Sequence, residues 1–188
     1  RTNKLKTVSL PTNAEFTLDY TVSYPSYDMP SGRWVMSTVS MVDEYNVEEE
    51  GPGTFVKEYI YRNGRYDRRE REFYGFEFIQ AIDRQEPGNP ESDIYRQTIQ
   101  QYHNRSYFLN GLLTDTWVVS GDVDFEYPPN STLKDRFVLA TIPDNQLFSH
   151  THHEFHVHQP NRGTIPWTID LTSLEDNEYD VGAAEGRQ

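Results

Sequence analysis

The chain of 188 residues contains no cysteine, which removes thiol catalysis, cysteine-ligated zinc and disulfide frameworks together and leaves the compartment open. Basic residues are scarce: 17 Lys and Arg stand against 30 Asp and Glu, a formal charge of −13. Nucleic-acid binders cluster cations to displace counterions, so a phosphate-backbone partner is not expected, and an acidic membrane surface would repel the chain. No run approaches the roughly 18 apolar residues of a membrane helix, and Arg1-Thr2-Asn3-Lys4 leads into no apolar signal region, so an integral membrane protein is not expected either. Sustained helical periodicity is missing. So are the nucleophile elbow Gly-x-Ser-x-Gly, the phosphate loop, His-Glu-x-x-His and the dinucleotide glycine motif; catalysis has no recognisable constellation.

Aromatic residues are abundant: 10 Phe, 13 Tyr and 3 Trp. A chain of this length can bury roughly 70% of its unfolded surface, enough for a core without staples. The first residue is not Met, and the sequence is expected to be a piece of a longer polypeptide, with a processed mature chain as the alternative.

In Glu15–Tyr24, Phe16, Leu18, Tyr20, Val22 and Tyr24 alternate with polar residues, the period of a half-buried strand. Turn formers at 25–32 separate it from a second β-prone run, Trp34–Val42. Asn63-Gly64 lies between Phe55–Arg62 and Arg65–Arg68, and Asn-Gly suits a two-residue type I′ hairpin, which would set Tyr61 opposite Tyr66. Asn110-Gly111 repeats the device between Tyr107–Leu109 and Leu112–Leu113, with a strand continuing over Thr114–Val119. Glu70–Ile82 reads as a long strand interrupted by Gly75, where a bulge or close backbone approach is expected. Tyr95–Tyr102, Arg136–Ile142, Glu154–His158 and Ile165–Leu171 are further strand candidates. The fold class is therefore all-β: antiparallel, hairpin-rich sheet over residues 1–175, either part of a larger β-shell or a β-sandwich-like piece. Residues 176–188, polar and acidic, are expected to form a disordered tail. The aromatics are expected mainly in packing.

Five of the six histidines fall in 150–158. On a strand, His150, His152, Glu154, His156 and His158 share one face, and imidazoles with a carboxylate can ligate zinc, nickel or iron. Same-face neighbours on one strand are roughly 6.6–7 Å apart, awkward for chelation by three of them, so a solvated histidine-rich face is the plainer reading. No cofactor is required, with a divalent metal on this strand as the alternative. The carboxylates Asp122, Asp124 and Glu126 match no calcium loop and read as a solvated acidic loop, as do Glu44, Glu48, Glu49 and Glu50.

The run Gly64-Arg-Tyr-Asp-Arg-Arg-Glu-Arg-Glu-Phe-Tyr-Gly-Phe-Glu-Phe78 resembles the Rhs and insecticidal toxin complex B-component family, whose pattern is Tyr-Asp followed by Arg-Glu-Phe-x-Gly-Phe. Tyr95–Leu113 is similar to the family's next segment, and Trp34-Val-Met to its preceding strand. The resemblance spans about Leu18 to Asp122. It implies a non-catalytic segment of a β-shell that encloses a toxic effector, secreted or at the bacterial cell surface. Tyr66, Asp67, Phe73, Gly75 and Phe76 would be structural. The implied partners are the rest of a longer chain, a C-component or effector-like Rhs protein and an A-component-like channel. Glu77 stands where a second glycine is common, and the self-cleaving aspartyl motif of the C component is absent, so no autoproteolysis is carried over. The alternative is a stand-alone β-sandwich module binding carbohydrate or peptide.

Overall fold

Alternation of β-branched and aromatic residues with polar ones governs the backbone: among the described residues of the computed structural model every regular element is a strand. The structure describes residues 3–12, 14–43, 53–85, 89, 91–126, 137–158 and 168–178. The strands are β1 (Thr7–Ser9), β2 (Glu15–Val22), β3 (Trp34–Asp43), β4 (Gly53–Asp67), β5 (Glu72–Arg84), β6 (Ile94–Tyr102), β7 (Leu113–Ser120), β8 (Phe125–Glu126), β9 (Val138–Leu139), β10 (Leu147–His158) and β11 (Thr168–Glu178). Nine form one antiparallel sheet in the order β1-β2-β3-β4-β5-β6-β7-β10-β11, and β8 pairs with β9 as a separate ribbon. From β1 to β7 each strand pairs with its neighbour in sequence; only the step from β7 to β10 skips, and the ribbon lies in that excursion.

Residues directly opposite in an antiparallel ladder share a face, so the register lays out rows across the sheet. One runs Arg62, Phe78, Gln101, Asp115, His152, Glu175; the next Ile60, Gln80, Ile99, Trp117, His150, Asn177; a third Glu58, Ile82, Gln97, Val119, Leu147. A register shift between Leu147 and Ser149 lets Leu147 and His150 face the same side despite their odd spacing. The core occupies the middle of this face: Phe78, Ile99, Val119, Val123 and Leu147, with Trp117, Phe125, Leu139 and Ile142 packed against them. Val123, Phe125, Leu139 and Ile142 come from the β7–β10 excursion, which thereby covers the sheet. Gln97, fully buried among these apolar groups, is satisfied by Gly121 O (2.7 Å), Asp122 Oδ1 (3.0 Å) and the Gln80 amide. Asp122, expected only to be solvated, therefore holds the excursion's first turn.

Several expectations need correction. Asn63-Gly64 is not a hairpin turn; β4 continues through it, and Gly64 pairs with Phe76. A Cβ on Gly64 would lie 2.5 Å from Met29 Sδ and 2.9 Å from a Phe76 ring carbon, so this glycine is a seat for the buried Met29 of the β2–β3 loop. The turn comes later, at 68–71. Asp67 Oδ1 accepts the amides of Arg69 (2.8 Å) and Glu70 (2.9 Å), and Arg71 takes a positive φ of 58°. Tyr61 consequently faces Ile79, and Tyr66 faces Phe73. Asn110-Gly111 does belong to the β6–β7 connection, with Gly111 at φ 79°, but Tyr107–Leu109 is turn and the connection spans 103–112. Of Arg136–Ile142, whose first residue lies outside the described residues, the strand among the described residues is only Val138–Leu139. Strand β11 extends to Glu178, into the segment expected as tail; 179–188 and the acidic stretch 44–50 lie outside the described residues. Aromatic packing is also narrower than expected: Tyr74 and Phe78 are buried, while Tyr24, Tyr27, Trp34, Phe55, Tyr95 and Tyr107 are exposed.

Candidate functional site

Two constellations stand out on the covered face. The first is built on Asn63, whose positive φ of 54° turns its side chain toward the excursion. Its Nδ2 donates to Phe137 O (2.7 Å) and Glu77 Oε2 (2.9 Å), and its Oδ1 accepts the Phe137 amide (2.9 Å), so one side chain mimics a strand partner for Phe137. Asn104 Nδ2 donates to the Asn63 carbonyl (2.7 Å), joining the β6–β7 loop to the same point. The Arg62 guanidinium lies 4.5 Å from the Phe125 ring centre and 5.0 Å from that of Phe137. Beside this clamp a cleft of about 470 Å³ opens between Phe78 and Trp117 of the sheet and 137–142 of the excursion. Its lining is mostly apolar, with Glu77, Gln101 and Thr141 as its polar members.

The second constellation is the histidine-rich strand. His150 Nε2 lies 3.0 Å and His152 Nδ1 2.7 Å from Asp115 Oδ1, and the His150 ring stacks on Trp117 at 5.1 Å and 8°. Burial pushes the Asp115 carboxyl up, but hydrogen bonds from His152, His150 and Thr114 outweigh it and hold it below its ordinary value. His152 is raised, first by its bond to Asp115, against some desolvation, and further by Glu175 and Glu154. Of the residues expected as ligands, the structure brings His150 and His152 together. Glu154 Oε2 instead accepts the Ser173 hydroxyl (3.2 Å), His156 is exposed, and the side chain of His158 lies outside the described residues. Asp115 went unnoticed in the sequence because its partner strand is not its neighbour in the chain; its place two residues before Trp117 on an alternating strand is the signal that could have raised it.

The model of the family described as insecticide toxin TcdB middle/N-terminal region matches residues 4–106, more than half of the chain. The chain belongs to this family. The TcdB-type match begins before Leu18 and ends short of Asp122, and the same segment carries the Tyr-Asp and Phe-x-Gly-Phe run. Among solved structures the fold is similar to that in crystals of TcdB2-TccC3-TEV (14% identity, TM-score 0.57), of TcdB2-TccC3 without the hypervariable C-terminal region (15%, 0.58) and of TcdB2-TccC3-Cdc42 (15%, 0.56). Each alignment covers 88% of this chain and 10% of the other, so the chain spans about a tenth of those structures' length. No curated protein matches.

The TcdB-type run forms the end of the β4–β5 hairpin. Tyr66 pairs with Phe73, Asp67 caps the turn, and Phe76 packs against Tyr61 (5.1 Å) and Phe73 (5.4 Å). The ladder shifts between Arg65 and Tyr66, leaving Tyr74 unpaired beside Gly75, whose φ is 85°. No atom stands within 4 Å of a Cβ built there, so only the backbone demands glycine. Gly75→Val should then cost about 1–3 kcal/mol, with Gly75→Asn much milder because Asn tolerates a left-handed backbone. Chemical denaturation of the two variants checks this, and equal midpoints would assign the position to ordinary strand.

Asp67 offers a pH prediction. The amide hydrogen bonds of Glu70 and Arg69 lower its carboxyl below the ordinary 3.8, assisted by Arg65 and Arg69. A carboxylate with a depressed native pKa stabilises the fold above its unfolded pKa, and that contribution fades as pH falls through the native value. Wild type should exceed Asp67→Asn in urea midpoint at pH 7, and the gap should close in the acid range below 3.8. A gap independent of pH would separate the turn's stability from the charge.

Proposed function

We propose that this chain is a non-catalytic wall segment of a secreted or cell-surface bacterial toxin complex, part of a β-shell that encloses a toxic effector. The observation that carries this reading is the balance of the sheet's surfaces. Among the described residues eight hydrophobic side chains are buried and sixteen large ones are exposed, including Tyr24 at 91%. A sheet whose own core is that small suits one whose remaining apolar surface meets further parts of a longer chain. Membership of the TcdB-type family supports the same reading, and among the described residues no helix is long and apolar enough to cross a membrane. The neighbours' titles pair TcdB2 with TccC3; by that likeness the partners proposed here are the rest of a longer chain, a C-component or effector-like Rhs protein, and an A-component-like channel.

The absence of native cysteine makes a direct test possible. Single cysteines replacing Tyr24, Trp34 or Tyr95 should react rapidly with a thiol reagent in the isolated chain and slowly once the parent protein is assembled with its partner. Equal labelling in both states would overturn the wall reading. Saturable binding of a glycan or short peptide to the isolated chain would instead favour a β-sandwich binding module.

A further inference from the structure

Three observations converge at the far end of the covered face. The first is the placement of Asp115, His150 and His152. On one strand, His150 and His152 stand roughly 6.6–7 Å apart at Cα, whereas the adjacent strand lies only about 4.8 Å away. The register puts Asp115 of β7 directly opposite His152 and diagonal to His150. One ligand from the neighbouring strand thus resolves the geometry that defeats three ligands on a single strand, and the three ligating atoms all lie within 4.8 Å of one another. Tetrahedral bonds of about 2.0–2.2 Å need ligand atoms roughly 3.3 Å apart, a small spreading of the two Asp115–imidazole contacts at 2.7 and 3.0 Å, with the imidazole pair brought to that separation from within 4.8 Å.

The second is support around the ligands. The Trp117 ring lies flat on His150 and fixes its plane, and Glu154 and Glu175 bring further negative charge to His152. The third is access. The side chains of His150 and His152 are 26% and 42% exposed while that of Asp115 is 14% exposed, so a cation from solvent can reach the imidazoles and find the carboxylate partly withdrawn from water.

We propose that Asp115, His150 and His152 bind a divalent transition-metal ion of the zinc type, joining β7 to β10, the two strands that flank the excursion covering the core. Two nitrogens and one oxygen favour zinc, cobalt or nickel over magnesium or calcium, which take oxygen ligands. A fourth position is left for water. The bound ion would tie strands separated in sequence by the whole excursion, so its effect is on stability and on the closure of that cover. The inference is independent of the wall reading.

The test uses purified protein without a polyhistidine tag, stripped of metal, with zinc, cobalt and magnesium chlorides as probes. One equivalent of zinc should bind, the melting temperature should climb with zinc and not with magnesium, and cobalt should give the strong visible absorption of a low-coordinate site. His152→Gln should weaken zinc binding by more than about 100-fold, since even loss of an outer-sphere partner typically costs 10–100-fold. His156→Gln, on the same strand, should leave affinity unchanged. Absence of saturable zinc binding by the wild-type protein would overturn the proposal, and so would binding that survives His152→Gln and disappears with His156→Gln. The wild-type cobalt spectrum keeps the test decisive even if a ligand variant folds poorly.

Discussion

Ile99→Ala should lower stability by about 2–5 kcal/mol. Ile99 is completely buried, at the centre of the row that runs from Gln80 to Trp117, with the excursion packed on the cluster to which it belongs. Truncation removes transfer energy and leaves a cavity between a hydrogen-bonded sheet and its cover, neither of which can collapse freely. For a chain of this size each kcal/mol lowers the melting temperature by roughly 2–4 °C, so the effect is easily read by thermal or urea denaturation. Ile99→Val should cost only about 0.5–1.5 kcal/mol. A loss from Ile99→Ala no larger than that from Ile99→Val would mean that the excursion does not close over the sheet in solution.

Asn63→Ala should be the most damaging polar substitution, at about 2–4 kcal/mol. It removes the three hydrogen bonds to Phe137 and Glu77, and a group left unpaired away from water costs about 1–3 kcal/mol. Alanine would also inherit the positive φ, worth roughly another 1–2 kcal/mol. Asn63→Gly separates the contributions, since it relieves the backbone and still loses the clamp. Asn63→Asp should be no better than alanine, because a carboxylate would face Glu77 and could no longer donate to Phe137 O. Denaturation midpoints rank the variants, and amide exchange at Phe137 reads the clamp itself: faster exchange is expected in Asn63→Ala and Asn63→Gly, whereas the carboxylate of Asn63→Asp can still accept that amide. Wild-type exchange at Phe137 in Asn63→Gly would show that the cover is held from elsewhere.

The strand composition of this protein was largely legible, because alternation is a local property: Glu15–Tyr24, Trp34–Val42 and Tyr95–Tyr102 lie close to the boundaries of β2, β3 and β6. The glycine-interrupted strand was legible for the same reason. Turn placement was not. Asn63-Gly64 has the chemistry of a turn but is used for a kink that aims a side chain and for a seat under Met29, whereas the true turn is written in charged residues whose only marker is Asp67. The metal-capable set was half legible. His150 and His152 follow from period two, but Asp115 requires knowing that β7 and β10 are neighbours across a long excursion, and no local pattern encodes that pairing. Burial of the aromatics was overestimated because alternation identifies a face without saying whether anything covers it.

The order of the sheet also bears on how the molecule forms. From β1 through β7 every strand docks on the one made just before it, so the chain can lay down its ladder stepwise as it leaves the ribosome or a secretion pore, each addition requiring closure of only a short loop. The exception is β10, which must wait while the β8–β9 ribbon and its flanks are produced. Until then β7 presents a bare edge, the species most prone to pairing with another nascent chain. The slow step of assembly, and the moment of greatest exposure to misassociation, should therefore be the arrival of the histidine-rich strand.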